Sequence, residues 1–221
     1  MNEDKKTASI SKAVISRLPR YYRYLEALKN NGVERISSGE LSKMMSVTAS
    51  QIRQDFNHFG GFGQQGYGYN VDFLYREIGK ILGMDREKHL ILIGAGNLGQ
   101  ALANYTNYRN RGFYIDAVFD KDPGKIGTEV YGMTVRDIRD MEAYIAENPV
   151  DIATVTIPKE EAVVVAERLV KAGIKAIWNF AHTDLNVPED VAVENVHLSE
   201  SLMHLSYTLN HTDKKKEGKK K

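Results

Sequence analysis

Leu90-Ile91-Leu92-Ile93-Gly94-Ala95-Gly96-Asn97-Leu98-Gly99 is the stretch that decides the fold of this 221-residue chain. Four consecutive apolar residues suit a strand buried on both faces, the environment of a parallel sheet. They run directly into G-x-G-x-x-G, and a helix is predicted over Leu98–Tyr108. The glycine spacing alone is weak evidence. Between a buried strand and a helix it gains a physical logic. Gly94 makes the tight turn, Gly96 lets backbone amides approach a pyrophosphate, and Gly99 lets helix and strand pack closely. The helix N-terminus adds free N–H groups and a partial positive charge.

Working downstream, strands are predicted at His89–Ile93, Phe113–Asp120, Asp151–Ile157 and Ala176–Phe180, with shorter ones near Gly132–Val135 and Val191–Val196. Helices fill the gaps at Leu98–Tyr108, Asp137–Glu147 and Glu160–Ala172. This alternation implies an α/β domain with a Rossmann-like, doubly wound, mostly parallel sheet covered on both faces. The second strand ends at Asp120, 21 residues after Gly99. A carboxylate there accepts hydrogen bonds from the adenosine ribose and repels a 2′-phosphate, which favours NAD(H) over NADP(H). Lys121, next to it, weakens that preference. The alternative is a Rossmann-like domain that binds another nucleotide or none. A last helix is expected over Ser199–Leu209, with Leu202, Leu205, Ser206 and Leu209 on one side. The lysine run Lys214–Lys221 reads as a solvated, disordered tail.

Upstream the pattern differs. Val14, Leu18, Tyr21, Leu25 and Leu28 recur at helical spacing, predicting one helix from Ser11 to Asn30, ended by Asn30-Asn31-Gly32. A short helix follows, capped by Ser37 or Ser38, with Glu40 at capping-box spacing from Ser37. Ser46-Val47 connects it to a third helix, capped by Thr48 and reaching Asn57. Helix, short helix, turn, helix is the spacing of a helix-turn-helix. Phe59–Tyr69 then mixes five glycines with aromatics, which suits a β-hairpin with its aromatics packed inward. A hairpin after the third helix is the wing of a winged-helix domain. Asn70 caps a closing helix carrying Val71, Leu74, Ile78, Ile81 and Leu82, and Asp85–Lys88 is a charged linker. The expected organisation is a winged-helix domain over 1–85, a Rossmann domain over 86–198, a dimerisation helix over 199–211 and a basic tail over 212–221.

The net charge of +1 conceals an uneven distribution. Residues 1–60 carry +4, residues 89–211 carry −7, and the tail from Thr212 carries +4. A basic front on an acidic body suits a nucleic-acid-binding domain joined to something else; chance plus a charged tail is the alternative. Cysteine is absent. That excludes a thiol switch and a cysteine-liganded zinc and fits a reducing cytoplasm. No apolar run suits a membrane helix, and no apolar signal-peptide core precedes Lys12. Five of the histidines, His58, His89, His182, His204 and His211, show no metal-site spacing, and no metal is expected. Trp178 sits in a buried strand and reads as core.

Taken together, the chain resembles the Rex family of redox-sensing transcriptional repressors, from Ala13 to Leu209. The resemblance is carried by Arg17-Leu18-Pro19-Arg20-Tyr21-Tyr22-Arg23-Tyr24, Ile52-Arg53-Gln54-Asp55-Phe56, Gly66-Tyr67-Gly68-Tyr69-Asn70 and the glycine motif with Asn104-Tyr105. Phe119-Asp120, Thr156-Ile157-Pro158, Gly173-Ile174-Lys175, Asn179-Phe180-Ala181 and Glu194-Asn195-Val196 extend it. The resemblance implies a homodimer with a C-terminal helix exchanged between subunits, holding operator DNA when NAD+ dominates and releasing it when NADH binds. By position it would place the cofactor against Gly94, Ala95, Gly96, Asn97, Leu98, Gly99, Asp120, Lys121, Thr156, Ile157, Pro158, Phe180 and Ala181. Arg23 and Tyr105, with His197 and Leu198, would relay the cofactor state. Thr48, Ser50, Gln51, Arg53, Gln54 and, on the wing, Gln65 are the candidate DNA contacts. Three positions depart from the family pattern: Gln54 and Gln65 replace basic residues, and His197 stands where an Asp usually partners the relay tyrosine.

Individual residues keep plainer readings open. Arg53 can read a guanine edge bidentately or hold a phosphate. Gln51 and Gln54 can read bases or face solvent. The rival functions are a small NAD-dependent oxidoreductase with a DNA-binding or adaptor N-terminal domain and a CoA- or nucleotide-binding module. Hydride chemistry needs a substrate pocket and a positioned proton donor. The Rossmann half leaves little room for a substrate domain, and a catalytic role is not expected.

Overall fold

The computed structural model describes residues 11–57, 63–64 and 67–217. These divide into two compact units, with the boundary between Arg86 and Glu87.

The first unit comprises α1 (Lys12–Ile15), α2 (Leu18–Asn30), β1 (Arg35–Ile36), α3 (Ser38–Met45), α4 (Ala49–Asn57), β2 (Gly63–Gln64), β3 (Gly68–Asn70) and α5 (Val71–Ile81). The single helix expected over 11–30 is in fact two. Pro19 lies in the first turn of α2; lacking an N–H it cannot continue a helix from α1, but it suits a new start. Leu18, Tyr21 and Leu25 on α2 are fully buried with Leu41, Met45, Ile52, Leu74 and Ile78 from the other helices. Ser37 and Glu40 form both halves of the capping box of α3: the Ser37 hydroxyl accepts the Glu40 N–H at 3.1 Å, and Glu40 accepts the Ser37 N–H at 2.8 Å. Ser46 turns the chain in the left-handed region, and the Thr48 hydroxyl accepts the Gln51 N–H at 3.1 Å to open α4.

The strands form a three-stranded antiparallel sheet in the order β1-β3-β2, with Gly63 opposite Tyr69 and Gln64 opposite Gly68. Of the aromatics expected to pack inward, Phe59 and Phe62 lie outside the described residues. Tyr69 does pack, its ring 5.1 Å from that of Phe56. Tyr67 does not: it precedes β3 in the turn and is exposed.

The second unit comprises β4 (Lys88–Ile93), α6 (Asn97–Ala103), β5 (Phe113–Asp120), β6 (Glu129–Val130), β7 (Met133–Asp137), α7 (Met141–Glu147), β8 (Ile152–Val155), α8 (Lys159–Lys171), β9 (Ala176–Asn179), β10 (Ala192–Asn195) and α9 (Leu198–Glu217). The sheet order is β10-β9-β8-β4-β5-β7-β6, parallel except for the β6–β7 hairpin at one edge. Ile91, Ile93, Phe119, Val155 and Ile177 pack under the Ala162, Val165, Ala166 and Leu169 face of α8. Leu92, Val118 and Val135 fill the opposite side. The chain winds outward from β4 through β5 in one direction and from β8 through β9 in the other. The crevice between the ends of β4 and β8 is therefore the switch point where such sheets bind ligands.

Three helix boundaries differ from expectation. The helix expected over Asp137–Glu147 begins only at Met141, because β7 runs to Asp137 and a 3-10 turn over Ile138–Asp140 precedes it. The helix expected over Leu98–Tyr108 ends at Ala103, because Tyr105 is extended and a 3-10 turn over Thr106–Arg111 follows. Asn, Tyr and Thr in succession favour helix weakly, which allows the stop. The last helix runs to Glu217 rather than Leu209, into the segment expected to be disordered. No proline or glycine interrupts it before Gly218. Its Tyr207 and His211 stack at 3.9 Å, and the Thr208 hydroxyl donates to the His204 carbonyl. Among the described residues no helix is long and apolar enough to cross a membrane.

Candidate dinucleotide site and DNA-reading face

The glycine loop has the geometry that a dinucleotide requires. Gly94 has φ +106°, and a Cβ there would lie 2.8 Å from the Thr156 hydroxyl oxygen. A Cβ on Gly99 would sit 2.0 Å from the Gly94 carbonyl oxygen, so any side chain would push α6 off β4. Gly96 is different: nothing lies within 4 Å of where its Cβ would be. Two glycines are thus required by the protein's own packing. The third fronts open space, where a pyrophosphate would approach the backbone. The Thr156 hydroxyl, from the loop after β8, lies 3.0 Å from the carbonyl oxygens of both Ile93 and Gly94 and ties the loop to the sheet.

Asp120 closes the end of β5 and is almost fully buried. Its Oδ2 accepts the Ala95 N–H at 2.7 Å and the Lys125 ammonium at 3.1 Å, and its Oδ1 accepts the Asp122 N–H at 2.9 Å. Burial alone would raise its pKa, but the two backbone N–H groups and Lys125 outweigh it and hold the carboxyl below the usual range. The carboxylate is therefore charged at neutral pH. Two of its roughly four lone-pair sites are filled by backbone N–H groups and a third by Lys125.

Beside it opens a cavity of about 550 Å³, bounded by Gly94 and Gly96, by Asp120 to Pro123 with Lys125 and Ile138, by Thr156 to Pro158, and by Glu161. That volume lies within the range of small-molecule sites. Of the candidate cofactor residues, Gly94, Gly96, Asp120, Lys121, Thr156, Ile157 and Pro158 meet there. Ala95 contributes its N–H to Asp120, while Asn97 and Leu98 form the first turn of α6. Phe180 and Ala181 follow β9, with the Phe180 ring 4.6 Å from Trp178, and do not line this cavity. Lys121 is not a free cation: its ammonium is 2.8 Å from Glu161 Oε1, on the first turn of α8. Nothing in the sequence pattern marks Glu161 for this site.

Of the candidate relay residues, Tyr105 is half exposed and accepts a hydrogen bond from the Asn107 side chain at 3.2 Å. It borders a second cavity of about 190 Å³ with Tyr108, Arg109 and Tyr131. Arg23, in the first unit, lies 5.5 Å from the Tyr24 ring. His197 stacks on His182 at 5.9 Å, and Leu198 opens α9 with its side chain exposed.

In the first unit, α4 turns Ile52, Asp55 and Phe56 inward and leaves Ser50, Arg53 and Gln54 exposed. Arg53 Nη1 donates to the Ser38 hydroxyl at 3.0 Å, and the residue as a whole is exposed. Thr48 caps the helix. Gln51 differs from expectation: its amide donates to Asp55 Oδ1 at 2.8 Å and is turned toward the protein. Asp55, fully buried, also receives Arg17 Nε and Nη2 at 2.7 Å each and the Tyr21 hydroxyl at 2.7 Å. Burial pushes Asp55 upward, but these donors hold it below the ordinary carboxylate range; burial and the same hydrogen bond push the Tyr21 phenol well above its own. Gln65 lies outside the described residues. Among the described residues no group of three or more His, Cys, Asp and Glu could hold a metal ion.

Residues 9–57 match the family described as putative DNA-binding protein N-terminus, and residues 85–183 match the CoA-binding domain family. The chain is 58% identical over 205 residues to a redox-sensing transcriptional repressor Rex of Thermoanaerobacter pseudethanolicus, covering 93% of this chain and 92% of the relative. It also resembles two solved structures of RSP, a Rex-family repressor. The first, in complex with NAD+ and operator DNA, is 56% identical with a TM-score of 0.87, covering 96% of this chain and 98% of that one. The second, in complex with NADH, is 54% identical with a TM-score of 0.87, covering 95% and 98%.

Proposed function

We propose, from the premise that this chain belongs to the Rex family of redox-sensing transcriptional repressors, that it binds operator DNA and leaves it when NADH binds. It thereby senses the NADH/NAD+ ratio of the cytoplasm. The observation that carries this is the pairing, in one chain, of a helix-turn-helix whose exposed face is Ser50, Arg53 and Gln54 with a glycine loop whose Gly96 fronts open space beside a charged Asp120. In this reading residues 1–85 hold the DNA and residues 86–198 hold the nucleotide. Gly94 to Gly99, Asp120 and Thr156 to Pro158 take the pyrophosphate and adenosine half, with Phe180 and Ala181 toward the nicotinamide. Bound NAD(H) supplies the redox signal only, so the protein is a sensor and not an enzyme.

Arg53 and Gln54 read base edges, while Thr48, Ser50 and Gln65 stand along the backbone. Gln51 supports the helix from within. Arg23, Tyr105, His197 and Leu198 relay the state of the nicotinamide. The apolar side of α9, with Leu202, Leu205 and Leu209 each more than half exposed, is covered by a second subunit, and a two-fold dimer matches a palindromic operator. NADH causes release only if it favours the non-binding arrangement over the DNA-binding one; the usual coupling is about 1–3 kcal/mol.

A gel shift on the DNA upstream of this protein's own coding region, with each cofactor added in turn, is the test. Retention with NAD+ and release with NADH, without loss of NADH absorbance, is the expected result. Steady oxidation of NADH, or binding indifferent to both cofactors, would refute the reading.

A further inference from the structure

We propose that Glu161 is a second determinant of cofactor choice: by holding the Lys121 ammonium it withholds a free cation from the 2′ position of the adenosine ribose. This rests on the reading of the cavity as an NAD(H) site. Two lysines, Lys121 and Lys125, border that cavity. Unpaired, they would form a binding site for a phosphate, and a ribose 2′-phosphate would be drawn to them. Neither is unpaired. Lys125 lies 3.1 Å from Asp120 Oδ2, and Lys121 lies 2.8 Å from Glu161 Oε1. Asp122, the remaining charged group of the lining, accepts the Gly124 N–H at 2.9 Å and adds negative charge. The cavity therefore carries three carboxylates against two ammonium groups, which opposes a further dianion.

The two lysines are held differently. Lys125 is attached to the carboxylate that faces the ribose, so releasing it would disturb ribose recognition itself. Lys121 is held from the opposite wall, since it follows β5 while Glu161 belongs to α8. Its side chain is largely exposed, so freeing it costs the fold little. Glu161 can therefore alter the ratio of NADPH to NADH binding through Lys121 alone. A purely structural role for Glu161, as a negative charge on the first turn of α8, would change both cofactors alike.

Calorimetry on the full chain, with NADH and NADPH as titrants, separates these cases. Glu161→Gln is expected to strengthen NADPH binding about tenfold relative to NADH, and the double variant Glu161→Gln/Lys121→Ala is expected to return to the parent ratio. An unchanged ratio in the single variant, or a gain that survives removal of Lys121, would overturn the proposal. Failure of the parent to bind NADH would instead overturn the reading of the cavity, and this inference with it.

Discussion

Arg17→Met tests how α4, the helix proposed to read DNA, is held. Asp55 is fully buried on α4 and accepts four hydrogen bonds, two of them from Arg17. The substitution keeps much of the side-chain volume but removes the countercharge. Tyr21 and Gln51 remain as neutral donors. Stripping one partner from a buried pair costs about 3–5 kcal/mol, because the remaining charge is left uncompensated. The Arg17 side chain is 28% exposed, so water reaches the vacated place, and the lower end of that range, about 3 kcal/mol, is the expected cost. Against a typical stability of roughly 5–15 kcal/mol this is a large share.

Amide hydrogen exchange is the appropriate assay, because the single tryptophan, Trp178, reports only on the second unit. Exchange over Ala49–Asn57 should accelerate by about a hundredfold, the equivalent of 3 kcal/mol, while β4 and β8 keep their parental rates. The pH response adds a second signature. In the parent the depressed pKa of Asp55 stabilises the fold above the ordinary carboxylate value of about 3.9, and this is lost as pH falls through the lower folded value. In the variant, burial is opposed only by Tyr21 and Gln51 and should push the carboxyl above its ordinary value. The variant should therefore recover protection as pH falls from neutrality, where the parent is flat. Unchanged α4 exchange, or parallel pH profiles, would refute the view that Arg17 compensates a buried charge.

Three further outcomes follow from the geometry. Gly96→Ala should leave thermal stability unchanged yet abolish NADH binding by calorimetry, whereas Gly99→Ala should lower stability by about 1–3 kcal/mol through displacement of α6; equal effects would contradict the assignment of the open space. Deleting Ser199 onward should give monomers by sedimentation, because the exposed leucines of α9 go with it; an intact dimer would place the interface elsewhere. Gln54→Lys should shift one base pair per half-site from A·T to G·C when sites are selected from a random pool, since lysine pairs with guanine O6 and N7 and glutamine with adenine. G·C at that position with the parent protein would move the contact to a neighbouring residue.

The parts of the fold that were legible in the chain are those that depend on near neighbours. The run Leu90–Gly99 states its own strand, turn and helix, and the Ser37–Glu40 box states its own helix start. Pro19 is equally local: a proline inside a helical pattern marks a boundary at the preceding residues, and the break before α2 lies there. β1 could not be read, because two residues carry no periodicity. Lys121 and Glu161 stand 40 residues apart and meet only through the winding of β5 and α8, so the chain showed a lysine beside Asp120 but not what holds it. Asp55 lies between these cases. It is three residues beyond Ile52, on the inward side of an amphipathic helix, and a carboxylate there must be paired. Granting that, Gln51 stands one turn earlier on the same face and is a natural donor to it. The inward turn of Gln51 was thus implied by spacing alone, once the acid was read as buried rather than solvated.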